Sequence, residues 1–230
     1  MSVVSPKKTF VNEDLYPLLR VDNLSVRFDA GRAGFWGQER LQVHAVEDLS
    51  LTIHKGETFG LVGESGSGKS TTGRAILGKV PVYSGNIYFQ GKEITHISRK
   101  KVRSLSKHMQ LIFQDPYASL NPRLKILDIV AEPLLVHGLV RSTKEAIEEV
   151  TQLLERVGLP PDAAYRYPHA FSGGQRQRVG IARALALKPE FIVADEPVSA
   201  LDVSIRAQVV NLLQDLQNEF GLTYLFIAHD

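Results

Sequence analysis

The chain has 230 residues, 43% of them hydrophobic, no cysteine and a formal net charge of +2 at pH 7. This length and composition predict one large domain, or a core with an inserted lobe, and a sizeable buried core. The missing cysteines exclude disulfides and thiolate metal sites, and the near-neutral charge gives no support for a nucleic-acid partner. No apolar run approaches the roughly 18 residues of a membrane span, and residues 1–8 lack a secretory signal, so we expect a cytoplasmic protein.

The N-terminal part of the chain predicts a tail followed by antiparallel strands. Residues 1–17 are expected to form a flexible tail. Residues 18–28 then alternate in hydrophobicity, which is typical of a half-buried strand. The alternating apolar positions are Leu19, Val21, Leu24, Val26 and Phe28. A Gly-rich segment of mixed charge follows at residues 29–40, and residues 41–46 and 49–53 predict two further strands of a small antiparallel sheet.

A glycine-rich loop lies between a short apolar run and a helical segment. The run at residues 59–62 predicts a buried strand, and residues 72–77 predict the first turns of a helix. A loop of pattern G-x-x-x-x-G-K-[ST] in this setting is a phosphate-binding loop. Its residues are Gly63, Glu64, Ser65, Gly66, Ser67, Gly68, Lys69, Ser70 and Thr71.

Each residue type in this phosphate loop suits the binding of a nucleotide. Gly63, Gly66 and Gly68 allow backbone angles closed to other residues, so several N–H groups can point at one anion, beside the positive end of the helix. Lys69 can reach the β and γ phosphates, the Ser70 hydroxyl is placed to bind Mg²⁺, and Thr71 adds a donor. The alternative, a chance Gly-rich turn, is expected in about one chain in a hundred of this length.

Phe28 is a candidate for stacking on an adenine ring. Stacking of a base on an aromatic side chain contributes about 1–3 kcal/mol. The alternative is a core aromatic at the end of a strand. Phe35 and Trp36, in the Gly-rich segment, compete with Phe28 for the same role or are exposed contacts.

Three segments connect the phosphate loop to the second half of the chain. Residues 83–90 predict a hairpin with its turn at residues 84–86. Residues 99–108 are basic, and because aromatic residues are not interleaved there, a solvated helix face is favoured over a nucleic-acid patch. Residues 109–113 predict a strand that delivers Gln114 at its end.

Residues 117–167 predict a helical lobe inserted between strands of the core. Residues 142–145 read Ser-Thr-Lys-Glu, which is a capping box at the start of a helix. The apolar stripe of that helix is Ala146, Val150, Leu153, Leu154 and Val157. Gly158 and the following prolines end it.

A second candidate anion site follows the lobe. Residues 171–178 read Phe-Ser-Gly-Gly-Gln-Arg-Gln-Arg, and a small-residue helix is predicted at residues 179–187. A Ser-Gly-Gly opening a helix offers free N–H groups and a positive dipole end. Since one nucleotide rarely needs two such helix ends, we expect this one to serve a nucleotide held by another copy of the fold.

The last third of the chain brings acidic residues and a histidine to strand ends. Residues 191–194 predict a buried strand that ends in Asp195, which suits Mg²⁺ coordination, and Glu196, which is directed to an attacking water. The alternative is a solvated strand end. Residues 199–202 predict a turn, with Asp202 capping a helix that runs to about residue 218. A strand at residues 223–228 places His229 at its tip, as Gln114 and Glu196 are placed at other strand ends.

These motifs, in this order, resemble the ATPase subunit of ATP-binding cassette (ABC) transporters over residues 19–230. The signature motif is Ser172, Gly173, Gly174 and Gln175, preceded by Phe171 in place of the usual Leu; residues 199–202 are the D-loop, and His229 is the switch histidine. The resemblance implies an α/β fold: a P-loop NTPase (RecA-like) core with an N-terminal antiparallel β subdomain and an inserted α-helical signature subdomain. The expected divisions are core at residues 18–115 and 187–230 and helical lobe at residues 116–186.

The resemblance also implies a mechanism with ATP and Mg²⁺. Lys69 and the loop amides hold the phosphates, while Ser70, Gln114 and Asp195 organise the metal. Glu196 orients or deprotonates the attacking water, and His229 contacts the γ-phosphate. Two subunits sandwich two ATP molecules head to tail, so Ser172 and Gly174 act on the partner's nucleotide.

Residues 114–123 and 194–205 are similar to the dipeptide and oligopeptide importer branch, whose relatives also import nickel or glutathione. The implied partners are a second ABC ATPase subunit, with a paralogue favoured, permease subunits that dock near residues 117–122, and indirectly a solute-binding protein; no nucleic acid is expected. The implied location is peripheral, at the cytoplasmic face of the inner membrane.

Two alternatives stay open at this point. Family members continue beyond a switch histidine, whereas this chain stops at Asp230, so a nucleotide-binding module without turnover is one alternative. A soluble superfamily member that acts on DNA or ribosomes is the other. Neither the transported solute nor the choice between homodimer and heterodimer follows from the sequence.

Overall fold

A computed structural model describes residues 2–4, 17–33 and 39–229. The chain divides into two compact units, residues 1–104 with 225–230, and residues 105–224. Within the described ranges, no helix is long and apolar enough to cross a membrane. The predicted division into a core and a helical lobe, with boundaries at residues 116 and 186, stays a prediction. The two compact units do not test it, because residues 105–224 include both the helices and two strands that the prediction assigned to the core.

The first unit contains a four-stranded antiparallel sheet. Its strands are β2 (Leu19–Ala33), β3 (Glu39–Ile53), β5 (Ser84–Phe89) and β6 (Lys92–Glu93), in the order β3-β2-β5-β6. A β1 strand, Ser2–Val4, which the sequence did not predict within the tail, pairs antiparallel with β4 (Thr58–Val62). The rest of the predicted tail, apart from Pro17, lies outside the described residues.

The predicted antiparallel sheet is confirmed, but β2 and β3 are longer than predicted. They pair from Leu19 opposite Ile53 to Ala33 opposite Glu39, with register shifts along the way. The break predicted between two short strands is a bulge at Asp48, whose φ is 50°. The Asp48 N–H donates to Ser25 Oγ at 3.1 Å, so the irregular backbone keeps a partner and the ladder continues.

The turn predicted at residues 84–86 is wrong. These residues belong to β5 and pair with β2, with Asn86 opposite Asp22. The turn lies at Gln90 and Gly91, whose φ angles of 51° and 71° are typical of a tight hairpin turn. The glycine at 85 has another cause, because a Cβ there would lie 2.4 Å from the Asn23 carbonyl oxygen.

Two elements of the first unit lead to candidate site residues. Strand β4 lies between β1 and β9 (Thr223–Ala228), of which residues 225–228 belong to this unit. The phosphate loop joins β4 to α1 (Lys69–Ile76).

The basic segment forms α2 (Arg99–Leu105), none of whose residues is buried, which confirms the solvated helix.

The second unit contains a parallel strand pair and four helices. Strands β7 (Met109–Ile112) and β8 (Phe191–Asp195) pair in parallel, with Met109 opposite Phe191. All five residues of β8 are buried. The helices are α3 (Ile126–Val136), α4 (Ile147–Arg156), α5 (Gly173–Leu185) and α6 (Val203–Phe220). Short 3₁₀ turns at Pro161–Tyr165 and Pro168–Ala170 lead into α5.

The capping box predicted at residues 142–145 does not open α4, because the helix begins at Ile147 and its N-cap residue, Ala146, makes no side-chain capping bond. Ser142 Oγ accepts a hydrogen bond from the Glu145 N–H at 3.3 Å. The Glu145 carboxylate accepts from the Arg141 N–H at 2.8 Å, so these two bonds close a turn that precedes the helix. All five residues of the predicted apolar stripe are buried.

Candidate active site

The phosphate loop uses two of its three glycines for their backbone freedom. Gly66 and Gly68 have φ angles of 79° and 88°, whereas Gly63 has no positive φ. A Cβ on Gly68 would lie 2.0 Å from the Ala45 carbonyl oxygen on β3, so no side chain fits there. The loop therefore depends on glycine at 68 for both conformation and space.

Lys69 lies inside the loop that it ends. The residue is 4% exposed, and Nζ donates to the carbonyl oxygens of Gly63 at 2.6 Å and Glu64 at 2.8 Å. Thr72, one turn further along α1, donates its hydroxyl to the Gly68 carbonyl at 3.0 Å. A buried ammonium at the start of a helix gives the loop a concentrated positive charge.

The side chains of the loop fit a phosphate group. Among the described residues, Ser67 Oγ is buried and has no hydrogen-bond partner. A buried hydroxyl without a partner is costly, and a phosphate oxygen can accept its hydrogen bond. Ser67 also lines an open cleft of about 530 Å³ with residues 45–50 of β3. Ser70 and Thr71, in the first turn of α1, add the hydroxyl groups expected for Mg²⁺ and phosphate binding.

Phe28 and His229 are both exposed in the first unit. Phe28 is 40% exposed on β2, opposite Val43, which is 53% exposed. Its exposure argues against a core aromatic and leaves its ring face available for stacking. His229 follows β9 directly, as predicted. Phe35 and Trp36 lie outside the described residues.

Asp195 and Glu196 lie at the carboxyl end of β8 in the second unit. Asp195 is 3% exposed, and Glu196 is half-buried with a φ of 46°. A left-handed conformation at a residue other than glycine costs about 1–3 kcal/mol, and such strain clusters at functional sites. The Glu196 carbonyl accepts hydrogen bonds from Ser199, from its N–H at 3.2 Å and its hydroxyl at 3.1 Å, which hold this conformation.

The second unit brings Gln114 and Glu196 together. Gln114 Nε2 donates to Glu196 Oε2 at 2.8 Å, although the two residues are 82 positions apart in the chain. The parallel pairing of β7 and β8 causes this contact, because both strands end at the same edge of the sheet. The amide thereby fixes the direction of the Glu196 carboxylate.

The signature motif forms a complete helix cap. Ser172 Oγ accepts from the Gln175 N–H at 3.3 Å, and Gln175 Oε1 accepts from the Ser172 N–H at 3.0 Å. Helix α5 therefore begins at Gly173, six residues before the predicted start. Gly174 is buried, and a Cβ there would lie 2.5 Å from Ile205 Cγ2, so this glycine allows α5 and α6 to approach closely.

Two polar residues of α5 that the sequence analysis missed hold the segment around Gln114. Gln177, which is 2% exposed, donates to the Phe113 carbonyl at 3.4 Å. Arg183 donates to the Ser119 carbonyl at 2.7 Å, and its guanidinium lies 5.3 Å from the Phe113 ring centre. Burial lowers the pKa of Arg183, and the negative charge of Glu132 opposes this shift. The sequence feature that could have identified Gln177 and Arg183 is that each is a polar residue on the apolar face of a helix rich in small residues.

The predicted docking segment, residues 117–122, carries an exposed aromatic side chain. Tyr117 is 56% exposed, and the Arg176 guanidinium of α5 lies 4.1 Å from its ring centre. Asp115 Oδ1 accepts hydrogen bonds from the N–H groups of Tyr117 at 2.7 Å and Ala118 at 3.2 Å. These bonds give the segment a fixed turn instead of an extended conformation.

The chain is similar in sequence to known ATP-binding proteins. The family model described as ABC transporter matches residues 46–199. The chain is 58% identical over 224 residues to the glutathione import ATP-binding protein GsiA of Escherichia coli O157:H7, covering 97% of this chain and 35% of that protein. The GsiA of Shigella dysenteriae is 57% identical over the same length. The chain thus spans about a third of the length of the curated relatives it matches.

Solved structures show the same fold. The ATP-binding cassette MJ0796, in a dimeric post-hydrolysis state bound to ADP and phosphate, matches with a TM-score of 0.78 and 30% identity, over 92% of this chain and 88% of that one. The cassette cbiO1 of Clostridium perfringens matches with a TM-score of 0.75 and 27% identity, over 93% and 79% of the two chains. With the family match and the phosphate loop, these likenesses show that the chain belongs to the ABC transporter family.

Proposed function

We propose that this chain binds Mg-ATP and hydrolyses it to ADP and phosphate, and that this reaction energises an importer of small peptides, glutathione among them. The observation that carries the proposal is the Glu196 carboxylate, half-buried at a strand end and held by the Gln114 amide at 2.8 Å. A carboxylate with a fixed direction is what a water-activating residue needs.

The phosphate loop acts on the charge of the nucleotide. Lys69 is buried and positively charged, so it neutralises the β and γ phosphates at close range, as in other loops of this type. Ser67 supplies a buried hydroxyl that no described residue uses. When bound, Mg²⁺ neutralises charge on the phosphates, and Ser70, Gln114 and Asp195 are the residues that would hold it. Phe28 offers a ring for the adenine base.

The chemical step needs one well-placed water. The water oxygen attacks the γ-phosphorus, and the bond from that phosphorus to the β–γ bridging oxygen breaks, giving ADP and phosphate. Glu196 orients the water and accepts its proton, while His229 contacts the γ-phosphate. These residues act mainly by positioning and by stabilising charge.

The signature motif is proposed to act on the nucleotide of a second cassette, for which a paralogue is our choice. Ser172 is exposed at the start of α5, where helix N–H groups are available to an anion. The MJ0796 cassette with ADP and phosphate is itself a dimer, which supports pairing of two cassettes. ATP then holds the dimer together, and hydrolysis releases it.

We further propose that permease subunits dock near residues 117–122 and that the protein lies peripherally at the cytoplasmic face of the inner membrane. The exposed Tyr117 ring, supported by Arg176, is an aromatic anchor of the kind found at interfaces. Glutathione is favoured as the solute because the similar relatives are named as glutathione importers, and it is itself a small peptide. A solute-binding protein would deliver it.

The test compares the parent chain with Glu196→Gln, which keeps the size of the side chain but removes the base. We expect kcat for ATP hydrolysis to fall by at least about a hundredfold, with an unchanged dissociation constant for ATP and a longer-lived ATP dimer. Glu219→Gln, on the exposed end of α6, is the matched control and should behave like the parent. Equal hydrolysis by Glu196→Gln and the parent contradicts the assigned role, and absence of ATP binding by the parent contradicts the whole proposal.

A further inference from the structure

The segment that connects Glu196 to helix α6 is held by one side chain from the helix. Arg206 donates from Nε to the Leu201 carbonyl at 2.8 Å and from a terminal nitrogen to the Ser199 carbonyl at 3.3 Å. One guanidinium thus binds two carbonyls of the D-loop. The Arg206 side chain therefore closes the D-loop onto the first turn of α6.

The start of α6 has no side-chain cap. Asp202 is the N-cap residue of α6, but its side chain makes no capping hydrogen bond. The backbone N–H groups of Ile205 and Arg206 both donate to the Asp202 carbonyl at 2.9 Å, which is the ordinary start of a helix. The D-loop has its own turn bond, from the Leu201 N–H to the Val198 carbonyl at 3.1 Å, and Arg206 adds the side-chain connection from α6 back to this loop.

The same hydrogen-bond chain reaches Glu196. Ser199, whose carbonyl is bound by Arg206, donates through both its N–H and its hydroxyl to the Glu196 carbonyl. Glu196 has the unfavourable φ of 46°, which persists only where its surroundings enforce it. The bonds from Arg206 to Ser199 and from Ser199 to Glu196 are therefore the enforcing contacts.

Packing supports the same connection. Leu201, the second carbonyl partner of Arg206, is 6% exposed, and a Cβ on the signature residue Gly173 would lie 3.6 Å from its Cδ2. Ile205, next to Arg206, packs closely against Gly174, where a Cβ would lie 2.5 Å from Ile205 Cγ2. The D-loop is thus packed against the start of α5 on one side and bound by Arg206 on the other.

We propose that Arg206 is a positioning residue that, through Ser199, sets the backbone and hence the carboxylate direction of Glu196. The inference rests on the proposed function of Glu196 in ATP hydrolysis. An arginine is required because its planar fork presents two N–H donors at fixed separation. Lysine at 206 presents a single charged centre and does not reproduce both carbonyl bonds.

The first experiment is a double-mutant cycle on single-turnover hydrolysis of ATP by the full chain. We expect Arg206→Ala to lower the rate constant about tenfold with KM for ATP nearly unchanged, and Arg206→Lys to restore only part of the loss. In the Glu196→Gln background, Arg206→Ala should cause no further loss, because the residue acts through Glu196. Equal fold-losses in both backgrounds, or no loss in the parent, overturn the proposal.

The second experiment does not depend on turnover. Hydrogen–deuterium exchange should be faster over residues 196–202 in Arg206→Ala and unchanged in the phosphate loop. The control is Arg156→Ala, which removes an exposed arginine that binds Glu219 of α6 at 2.7 Å but touches no D-loop carbonyl. If Arg206→Ala unfolds the chain, Arg206→Lys carries the same comparison, and unchanged exchange over residues 196–202 in that variant overturns the proposal. Failure of the parent to hydrolyse ATP concerns the proposed function alone.

Discussion

The phosphate loop and the Glu196 site are built in opposite ways. The phosphate loop is made of consecutive residues, and Lys69 is held by carbonyls five and six positions before it. The Glu196 site is assembled from Gln114, 82 residues earlier, and from bonds that run through the D-loop to Arg206. The first is a property of a short segment, whereas the second exists only when two strands and two helices are correctly packed.

Glycine shows the same difference. In the phosphate loop, Gly68 is needed because its φ of 88° and the nearby Ala45 carbonyl leave no alternative. In the second unit, Gly174 is helical, and glycine is needed because Ile205 of another helix occupies the space. Glycine thus meets a conformational requirement in the phosphate loop and a packing requirement in the second unit, and substitutions can separate the two.

The largest expected effect belongs to the phosphate loop. Lys69→Ala removes the buried ammonium and leaves the Gly63 and Glu64 carbonyls without their donor. We expect ATP affinity to fall at least about a hundredfold, or about 2.7 kcal/mol, since hydrogen bonds to charged groups contribute about 1.5–3 kcal/mol each. Titration with ATP measures this loss, and Lys79→Ala, an exposed lysine just beyond α1, should bind as the parent does. A loss of affinity in both variants would show that the effect is not local.

A smaller effect is expected where the second unit depends on packing. Gly174→Ala places a methyl group 2.5 Å from Ile205 Cγ2 and should lower the free energy of unfolding by about 1–3 kcal/mol. Gly173→Ala meets neighbours only at 3.5 Å or more and is the matched control. Denaturant unfolding measures both variants. Adding Ile205→Ala to Gly174→Ala should recover part of the loss, and the absence of any recovery would refute steric contact as the cause.

The smallest effect tests whether the signature serine has two separable roles. Ser172→Ala removes the acceptor for the Gln175 N–H, and loss of such a cap costs about 1 kcal/mol. Ser172→Asn keeps a capping side chain and should unfold like the parent. If hydrolysis by the paired cassettes falls in both variants while stability falls only in Ser172→Ala, the cap and the proposed action on the partner's nucleotide are distinct. Equal stability of all three chains would contradict the capping role.

The sequence predicted the locally determined features well. The phosphate loop, the ends of β9 and the stripe on α4 depend on residues close together in the chain, where pattern and propensity suffice. For Gln114 and Glu196, the sequence predicted only that both residues lie at strand ends. The pattern of apolar residues shows where each strand ends, but it does not give the distance between the two side chains.

The errors have the same physical origin. Glycine most often marks turns, which is why the sequence predicts a turn at Gly85, but the close approach of Asn23 on another strand explains this glycine. The bulge at Asp48 depends on Ser25 of the neighbouring strand. The hydrogen bonds from Arg206 of α6 depend on carbonyl groups of the D-loop. No periodicity in a single segment carries that information.

The parallel pairing of β7 with β8 has a consequence for the order of folding. Strands β2 and β3 meet across a short connection, with Ala33 opposite Glu39, so their contacts form early at little entropic cost. The β7–β8 pair must close a loop of about 80 residues that contains three of the helices, and such non-local contacts form slowly. A partly folded chain, in which β7 and β8 have not yet paired, is therefore expected to contain the β2–β3 hairpin but not the contact between Gln114 and Glu196.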